Sequence, residues 1–189
     1  MRTLVELAVP AIWILWWAYW QWSARGVKPV IQRESLPSRL AHIIPLVIGA
    51  LLLAIPVVPG WLGERFLPRG PAMYGLGVAV LAAGLLFSVW ARRILGRNWS
   101  GTVTLKQDHE LIRAGPYRWV RHPIYTGILF GFLGSAIARG EWRGLLAFAI
   151  VAIALWRKLR MEERWLTQLF GESYVAYRRE TWALLPYVL

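Results

Sequence analysis

The side chains in this sequence that could do chemistry are few, and most fall in two places. Arg121-His122-Pro123 precedes an apolar run, and Arg157-Lys158 stands about one helical turn ahead of Glu162-Glu163. Proline is favoured in the first turn of a helix, where its missing N–H costs nothing. A helix that starts directly after His122 sets its orphan N–H groups and positive dipole end beside Arg121 and His122, which makes a local anion site that a phospholipid headgroup could fill. Lys158 and Glu162 are at i, i+4 and support each other on a helix. By itself the glutamate pair is a solvated face; beside a bilayer it could grip a hydroxylated or cationic ligand. A third polar group, Asp108-His109-Glu110, reads alone as a solvated loop triplet.

Composition removes several kinds of chemistry. There is no cysteine, so disulfides, thiolate metal sites and cysteine nucleophiles are excluded. The histidines are His42, His109 and His122, too scattered for a conventional zinc site, and no metal is expected. With 189 residues, 57% hydrophobic, and a mean hydropathy of +0.43, the chain is too apolar for an ordinary soluble domain. A polytopic membrane protein of all-α class is expected, and the net charge of +12 then reflects basic loops against an anionic leaflet rather than nucleic acid.

The elements that must position these groups follow from apolar run length, since a span needs about 20 apolar residues. Five spans are expected: Thr3 to Trp22, Leu40 to Val58, Ala72 to Val89, Ile124 to Ala138 and Gly144 to Trp156. The last two, joined by Arg139-Gly140-Glu141-Trp142-Arg143, form a tight helical hairpin. The first is too long and too rich in Trp for a cleaved signal peptide, and it lacks a small-x-small cleavage site. In this topology Arg2, Arg65, Arg69, Arg139 and Arg143 lie on one side and the other 17 of the 22 Lys and Arg on the opposite side. The positive-inside rule then puts the N-terminus outside and the long loop and C-terminal tail in the cytoplasm.

Two polar segments share the cytoplasmic side. The loop from Ala91 to Pro123 carries Trp99, Leu111, Ile112, Tyr117 and Trp119, enough apolar surface to fold down on something. In the tail, Leu159, Glu162/Glu163, Leu166 and Leu169/Phe170 recur at helical spacing before Gly171, so the fifth span continues out of the bilayer and is capped at that glycine. Two stripes suggest packing. Trp13, Trp16, Trp17 and Trp20 share one helical face and read as an interfacial belt plus helix packing, and the small residues Gly75, Ala79, Ala83, Gly127 and Gly131 read as close helix contacts.

Several short blocks then occur in a specific order: His109-Glu110-Leu111-Ile112, Gly115-Pro116-Tyr117, Arg121-His122-Pro123-Ile124-Tyr125-Thr126-Gly127, Glu162-Glu163, and Phe170-Gly171-Glu172-Ser173-Tyr174-x-x-Tyr177. Together, over roughly Asn98 to Pro186, they resemble the isoprenylcysteine carboxyl methyltransferase family. The apolar runs place transmembrane helices one to three in residues 1–97, and the resemblance implies a methyltransferase core in residues 98–189. It implies S-adenosylmethionine as cofactor without a Rossmann domain, in agreement with the lack of a glycine-rich strand-to-helix loop. The cofactor pocket, formed by the cytoplasmic loop and C-terminal helix, would be lined by His109, Glu110, Leu111, Ile112, Tyr117, His122, Pro123, Ile124, Tyr125 and Glu162. A basic residue before the matching glutamate binds substrate in that family; here the position falls on Lys158 with Arg157 beside it, and Lys lacks the bidentate fork of Arg. His122 and the positive end of span four are expected to hold the cofactor's carboxylate, with Arg121 orienting the acceptor.

The acceptor is expected to be a lipophilic substrate entering from the membrane, most simply a prenylated or isoprenoid carboxylate, with bilayer lipids as neighbours. Phospholipid amine methylation is the nearest alternative and would ask Glu162 or Glu163 to act as base. A sterol-type reductase using NADPH shares the His-Pro-x-Tyr element, but typically has Asn where Ile124 stands. A non-enzymatic lipid-binding membrane protein is the remaining alternative.

Overall fold

The computed structural model describes residues 7–25, 27, 30–99, 104–106 and 110–187, with backbone alone at 30–33 and 104–106. Asp108 and His109 therefore lie outside the described residues. Among the described residues six α-helices follow one another: α1 (Ala8–Ser23), α2 (Leu36–Ala54), α3 (Pro71–Leu95), α4 (Pro123–Arg139), α5 (Trp142–Phe170) and α6 (Glu172–Glu180). Two of them, α2 and α3 with its terminal turn, are long and apolar enough to cross a membrane by length and composition. Large apolar side chains such as Ile14, Leu15, Leu51, Leu86 and Ile153 are exposed along the helices. An apolar surface of this kind needs lipid around it, and the chain is an integral membrane protein. The all-α expectation acquires one addition: β1 (Val30–Arg33) pairs antiparallel with β2 (Thr104–Lys106). The connections that carry these segments satisfy each other's backbone groups where no helix does.

The α4–α5 hairpin turns at Gly140, whose φ of 67° is the left-handed conformation glycine adopts without strain. Arg65 fixes the turn by donating to the Arg139 carbonyl at 2.5 Å. Beside it the buried Arg143 reaches Glu141 at 2.6 Å and the Ile55 carbonyl at 2.5 Å, tying the hairpin to the end of α2. At 1.5 Å per residue the 29 residues of α5 extend roughly 43 Å, well beyond a hydrocarbon core of about 30 Å. The apolar stretch to Trp156 and the polar helix expected after it are thus a single element, ending at Gly171 with φ 53°.

Helices α3 and α4 pack backbone to backbone, but not through all the residues expected. A Cβ on Gly127 would lie 2.4 Å from the Gly84 carbonyl oxygen, and one on Gly134 would lie 2.3 Å from the Leu81 nitrogen. Gly75, by contrast, would meet nothing within 4 Å, and Ala79 and Ala83 share its exposed face. The contact stripe on α3 is Gly77, Leu81, Gly84 and Ser88 instead. Of the four indoles in the stripe on α1, Trp13, Trp16 and Trp20 pack on the core and Trp17 stays exposed. Trp13 donates to Ser135 Oγ at 3.0 Å and Trp16 to Ser88 Oγ at 2.8 Å, which pins α1 across the α3–α4 pair.

Candidate active site

Pro123 begins α4, with His122 just before it in a non-helical conformation. The chain's final segment runs alongside this start. Arg121 N–H donates to the Trp182 carbonyl at 2.8 Å, His122 N–H to the Ala183 carbonyl at 3.0 Å, and Thr126 Oγ1 to the Leu184 carbonyl at 2.7 Å. Those bonds hold the Arg121 and His122 side chains over α5, where the helix has left the apolar zone.

His122, expected to hold the cofactor's carboxylate, has both ring nitrogens turned to protein carboxylates of α5. Its Nδ1 is 3.6 Å from Glu162 Oε2 and its Nε2 is 3.5 Å from Glu163 Oε1, with the imidazole side chain 6% exposed. These separations are too long for good hydrogen bonds and are charge contacts. Around them the pairing is tighter. Arg121 Nε donates to Glu163 Oε1 at 2.7 Å, and Tyr125 OH donates to Glu162 Oε1 at 2.6 Å. Arg178 of α6 stands 3.6 Å from the other oxygen of Glu163. Lys158 Nζ lies 4.0 Å from Glu162 and 5.4 Å over the Tyr125 ring, while that ring stacks on His122 at 5.5 Å.

The electrostatics follow from burial opposed by pairing. Burial favours the neutral imidazole, but the Glu162 and Glu163 carboxylates outweigh it and raise the His122 pKa above its ordinary value. Burial likewise favours neutral carboxyls, yet His122, Lys158 and Tyr125 hold Glu162 below the usual range, and His122 and Arg121 hold Glu163 at about 2. The site is thus a preformed network built round two ionised carboxylates. Arg121 is committed to it, since its guanidinium also donates to the Thr181 carbonyl.

Next to the network is a cavity of about 60 Å³, lined by Leu95, Glu110, Leu111, Ile112, Tyr117 and Arg121, and by Leu166, Phe170, Tyr174 and Tyr177 of the C-terminal helices. Burial raises the phenols of Tyr117 and Tyr174, and it pushes Tyr177 up to about 12, so all three are neutral at physiological pH. The Tyr174 hydroxyl is buried without a hydrogen-bond partner, whereas Tyr177 OH donates to the Tyr117 carbonyl at 2.5 Å.

The residues singled out in the sequence divide accordingly. Glu110, Leu111, Ile112 and Tyr117 line the cavity, and His122, Tyr125 and Glu162 form the adjoining network with Arg121 and Lys158. Pro123 and Ile124 are buried, Ile124 in the interhelical core with Ile128 and Val151. Arg157 is exposed and turns to α2, where it donates to the Ser38 carbonyl at 3.2 Å. Sequence reasoning missed the part taken by Glu163, Arg178 and Tyr174. Only the Tyr174-x-x-Tyr177 block hinted at the last of these.

A helical membrane core thus carries a buried carboxylate–imidazole–guanidinium network at its polar end. A family model described as phospholipid methyltransferase matches residues 72–173, and the chain belongs to that family. It is similar to protein-S-isoprenylcysteine O-methyltransferase of Saccharomyces cerevisiae, at 28% identity over 60% of this chain and 48% of the relative. The enzyme of the same name from Schizosaccharomyces pombe is 33% identical over 49% of this chain and 41% of its own length. A steroid 5-alpha-reductase from Solanum lycopersicum is 27% identical over 61% and 42%. The chain spans about half the length of these curated relatives. Among solved structures, the eukaryotic intramembrane Ras methyltransferase superimposes with a TM-score of 0.53 at 20% identity, over 84% of this chain and 55% of that one, and shares the fold.

Proposed function

We propose that the protein is an integral membrane methyltransferase that moves a methyl group from S-adenosylmethionine to a lipophilic acceptor, the carboxylate of a prenylated or isoprenoid compound. The observation that carries this reading is the buried charged network at the foot of α4, directly beside a cavity lined by the loop residues the resemblance assigns to the cofactor. The relatives' names supply the acceptor class.

The cavity's chemistry suits a nucleoside. Apolar and aromatic walls from Leu111, Ile112, Tyr117 and Phe170 fit a purine, and Glu110 and the unpartnered Tyr174 hydroxyl offer polar contacts. Ligand pockets usually measure about 300–1,000 Å³, so binding must widen this one toward the network. There, in this reading, Glu162 takes the ammonium of the cofactor's amino-acid end and His122 its carboxylate. When bound, the sulfonium supplies the methyl: an O–CH3 bond forms as the S–CH3 bond breaks, its electron pair stays on sulfur, and a carboxylate acceptor needs no base. What the protein contributes is position, and near-attack geometry is worth ~7–11 kcal/mol. Lys158, buried against Tyr125 and close to Glu162, is the basic residue that meets the acceptor, while Arg157 stands off toward α2. Five spans, with the N-terminus outside and the loop and tail cytoplasmic, would bring the cofactor from water and the acceptor from lipid.

Isothermal titration of S-adenosylhomocysteine into the detergent-purified protein tests this. Saturable binding, weakened at least tenfold in His122→Ala and Glu162→Ala, is the expected result; no binding to well-folded wild type would overturn the reading. The description of the matching family favours a second reading, in which the acceptor is a lipid amine and Glu162 or Glu163 takes its proton. Labelled methyl donor offered to prenylated acids and to phosphatidylethanolamine separates the two.

A further inference from the structure

One polar atom in the cavity wall has nothing to bond to. Tyr174, in the first turn of α6, is 1% exposed, and its hydroxyl has no hydrogen-bond partner. Among the described residues no other buried side-chain nitrogen or oxygen of that wall is left so. A buried hydroxyl without a partner costs the fold, because it gives up its bonds to water and receives nothing in return, and natural proteins keep few of them. Burial also keeps the phenol protonated, so it can both donate and accept.

The helix around Tyr174 is tied down on both sides of it. Arg113 donates to the Ser173 carbonyl at 2.6 Å and sets its guanidinium 5.3 Å over the Tyr177 ring. Tyr177 OH donates to the Tyr117 carbonyl, and Arg178 faces Glu163 at 3.6 Å. The Tyr174 ring itself meets the Tyr177 ring edge to face at 5.9 Å. Two tyrosines one turn apart therefore differ in one respect. The Tyr177 hydroxyl is committed to the fold, and the Tyr174 hydroxyl is held in place with its bond unmade.

What would complete that bond follows from the surroundings. Leu111, Ile112 and Phe170 give the cavity an apolar, partly aromatic wall, whereas charge is concentrated in the network that Arg121 joins. A neutral phenol in such a wall suits a neutral, flat ligand with polar edges. The purine and ribose of a nucleoside have that chemistry, and the charged amino-acid end of the cofactor does not.

We infer that the Tyr174 hydroxyl is a binding group for the nucleoside of S-adenosylmethionine, hydrogen-bonded to it when the cofactor fills the cavity, which makes α6 part of the cofactor site. The inference rests on the methyltransferase reading and adds a specificity-determining residue to it.

A group kept for a ligand has a signature that a structural group lacks: its removal weakens binding without weakening the fold. Tyr174→Phe and Tyr177→Phe are compared with wild type in detergent by thermal melting and by titration. The ligands are S-adenosylhomocysteine and methylthioadenosine, which keeps the nucleoside and lacks the amino-acid end. Without ligand, Tyr174→Phe should melt no lower than wild type, whereas Tyr177→Phe, which loses a made bond, should melt below it. Tyr174→Phe should bind both ligands about tenfold more weakly, the loss expected for one buried hydrogen bond. Affinity within about twofold of wild type for both ligands, well short of that loss, would overturn the inference and leave the methyltransferase reading standing. A Tyr174→Phe protein that melts as low as Tyr177→Phe would do the same, because the hydroxyl would then serve the fold. So would a loss confined to S-adenosylhomocysteine, because the hydroxyl would then serve the amino-acid end. Wild type that binds neither ligand would instead remove the methyltransferase reading.

Discussion

Replacing Glu163 with Ala removes one carboxylate from the centre of the network and leaves its partners in place. Glu163 receives Arg121 at 2.7 Å and faces His122 at 3.5 Å and Arg178 at 3.6 Å, with its own side chain 7% exposed. Burial opposes its charge, yet His122 and Arg121 bring its pKa from 4.5 to about 2. At 1.36 kcal/mol for each tenfold in proton affinity, that preference for the ionised form amounts to ~3 kcal/mol. Breaking a buried pair from one side typically costs about 3–5 kcal/mol, so two routes agree. For a chain of this size each kcal/mol moves Tm by roughly 2–4 °C, and Glu163→Ala should melt ~6–12 °C below wild type in detergent near neutral pH. The sign with pH is fixed as well. A carboxylate with a lowered folded pKa stabilises above its unfolded value and loses that contribution as pH falls toward the folded one. The gap between variant and wild type should therefore close between pH 4.5 and about 2. A variant melting within 2 °C of wild type, or a gap that acid does not narrow, would refute the reasoning.

Two further outcomes follow from the same geometry. His122, its pKa raised above 6.5, stabilises the fold fully below that pH and loses the contribution as pH rises through its folded value; thermal melts should show an alkaline decline in wild type that is missing from His122→Asn. Gly127→Val drives a Cβ to 2.4 Å from the Gly84 carbonyl oxygen, a collision with backbone that cannot relax, and should abolish the monodisperse peak in size-exclusion chromatography. Gly75→Val, with open space around it, should leave that peak unchanged.

The small-residue stripe shows how the two levels of information divide. Gly75, Ala79 and Ala83 have the right spacing for close packing, but so do Gly77, Leu81, Gly84 and Ser88, and two residues along a helix is about 200° around it. Composition cannot choose between opposite faces; the partner helix can, and α4 meets the second. The same limit applies to Arg157 and Lys158, adjacent in the chain yet turned toward α2 and toward Glu162.

Local physical chemistry determined a good deal by itself. Pro123 starts α4 because a first-turn proline costs nothing, and Gly171 ends α5 because glycine adopts a positive φ without strain. The hairpin turn, the apolar runs and the unbroken extension of α5 to Phe170 likewise depend on residues near one another in sequence, as did the placement of Glu110, Leu111, Ile112 and Tyr117 in one short block. Tertiary structure decided what those elements face. It set His122 between two carboxylates and turned Glu163 from an expected solvated face into the partner of Arg121. Each of these depends on contacts between residues dozens of positions or more apart, or on the rotation of one helix against another, and no periodicity within a single segment encodes that.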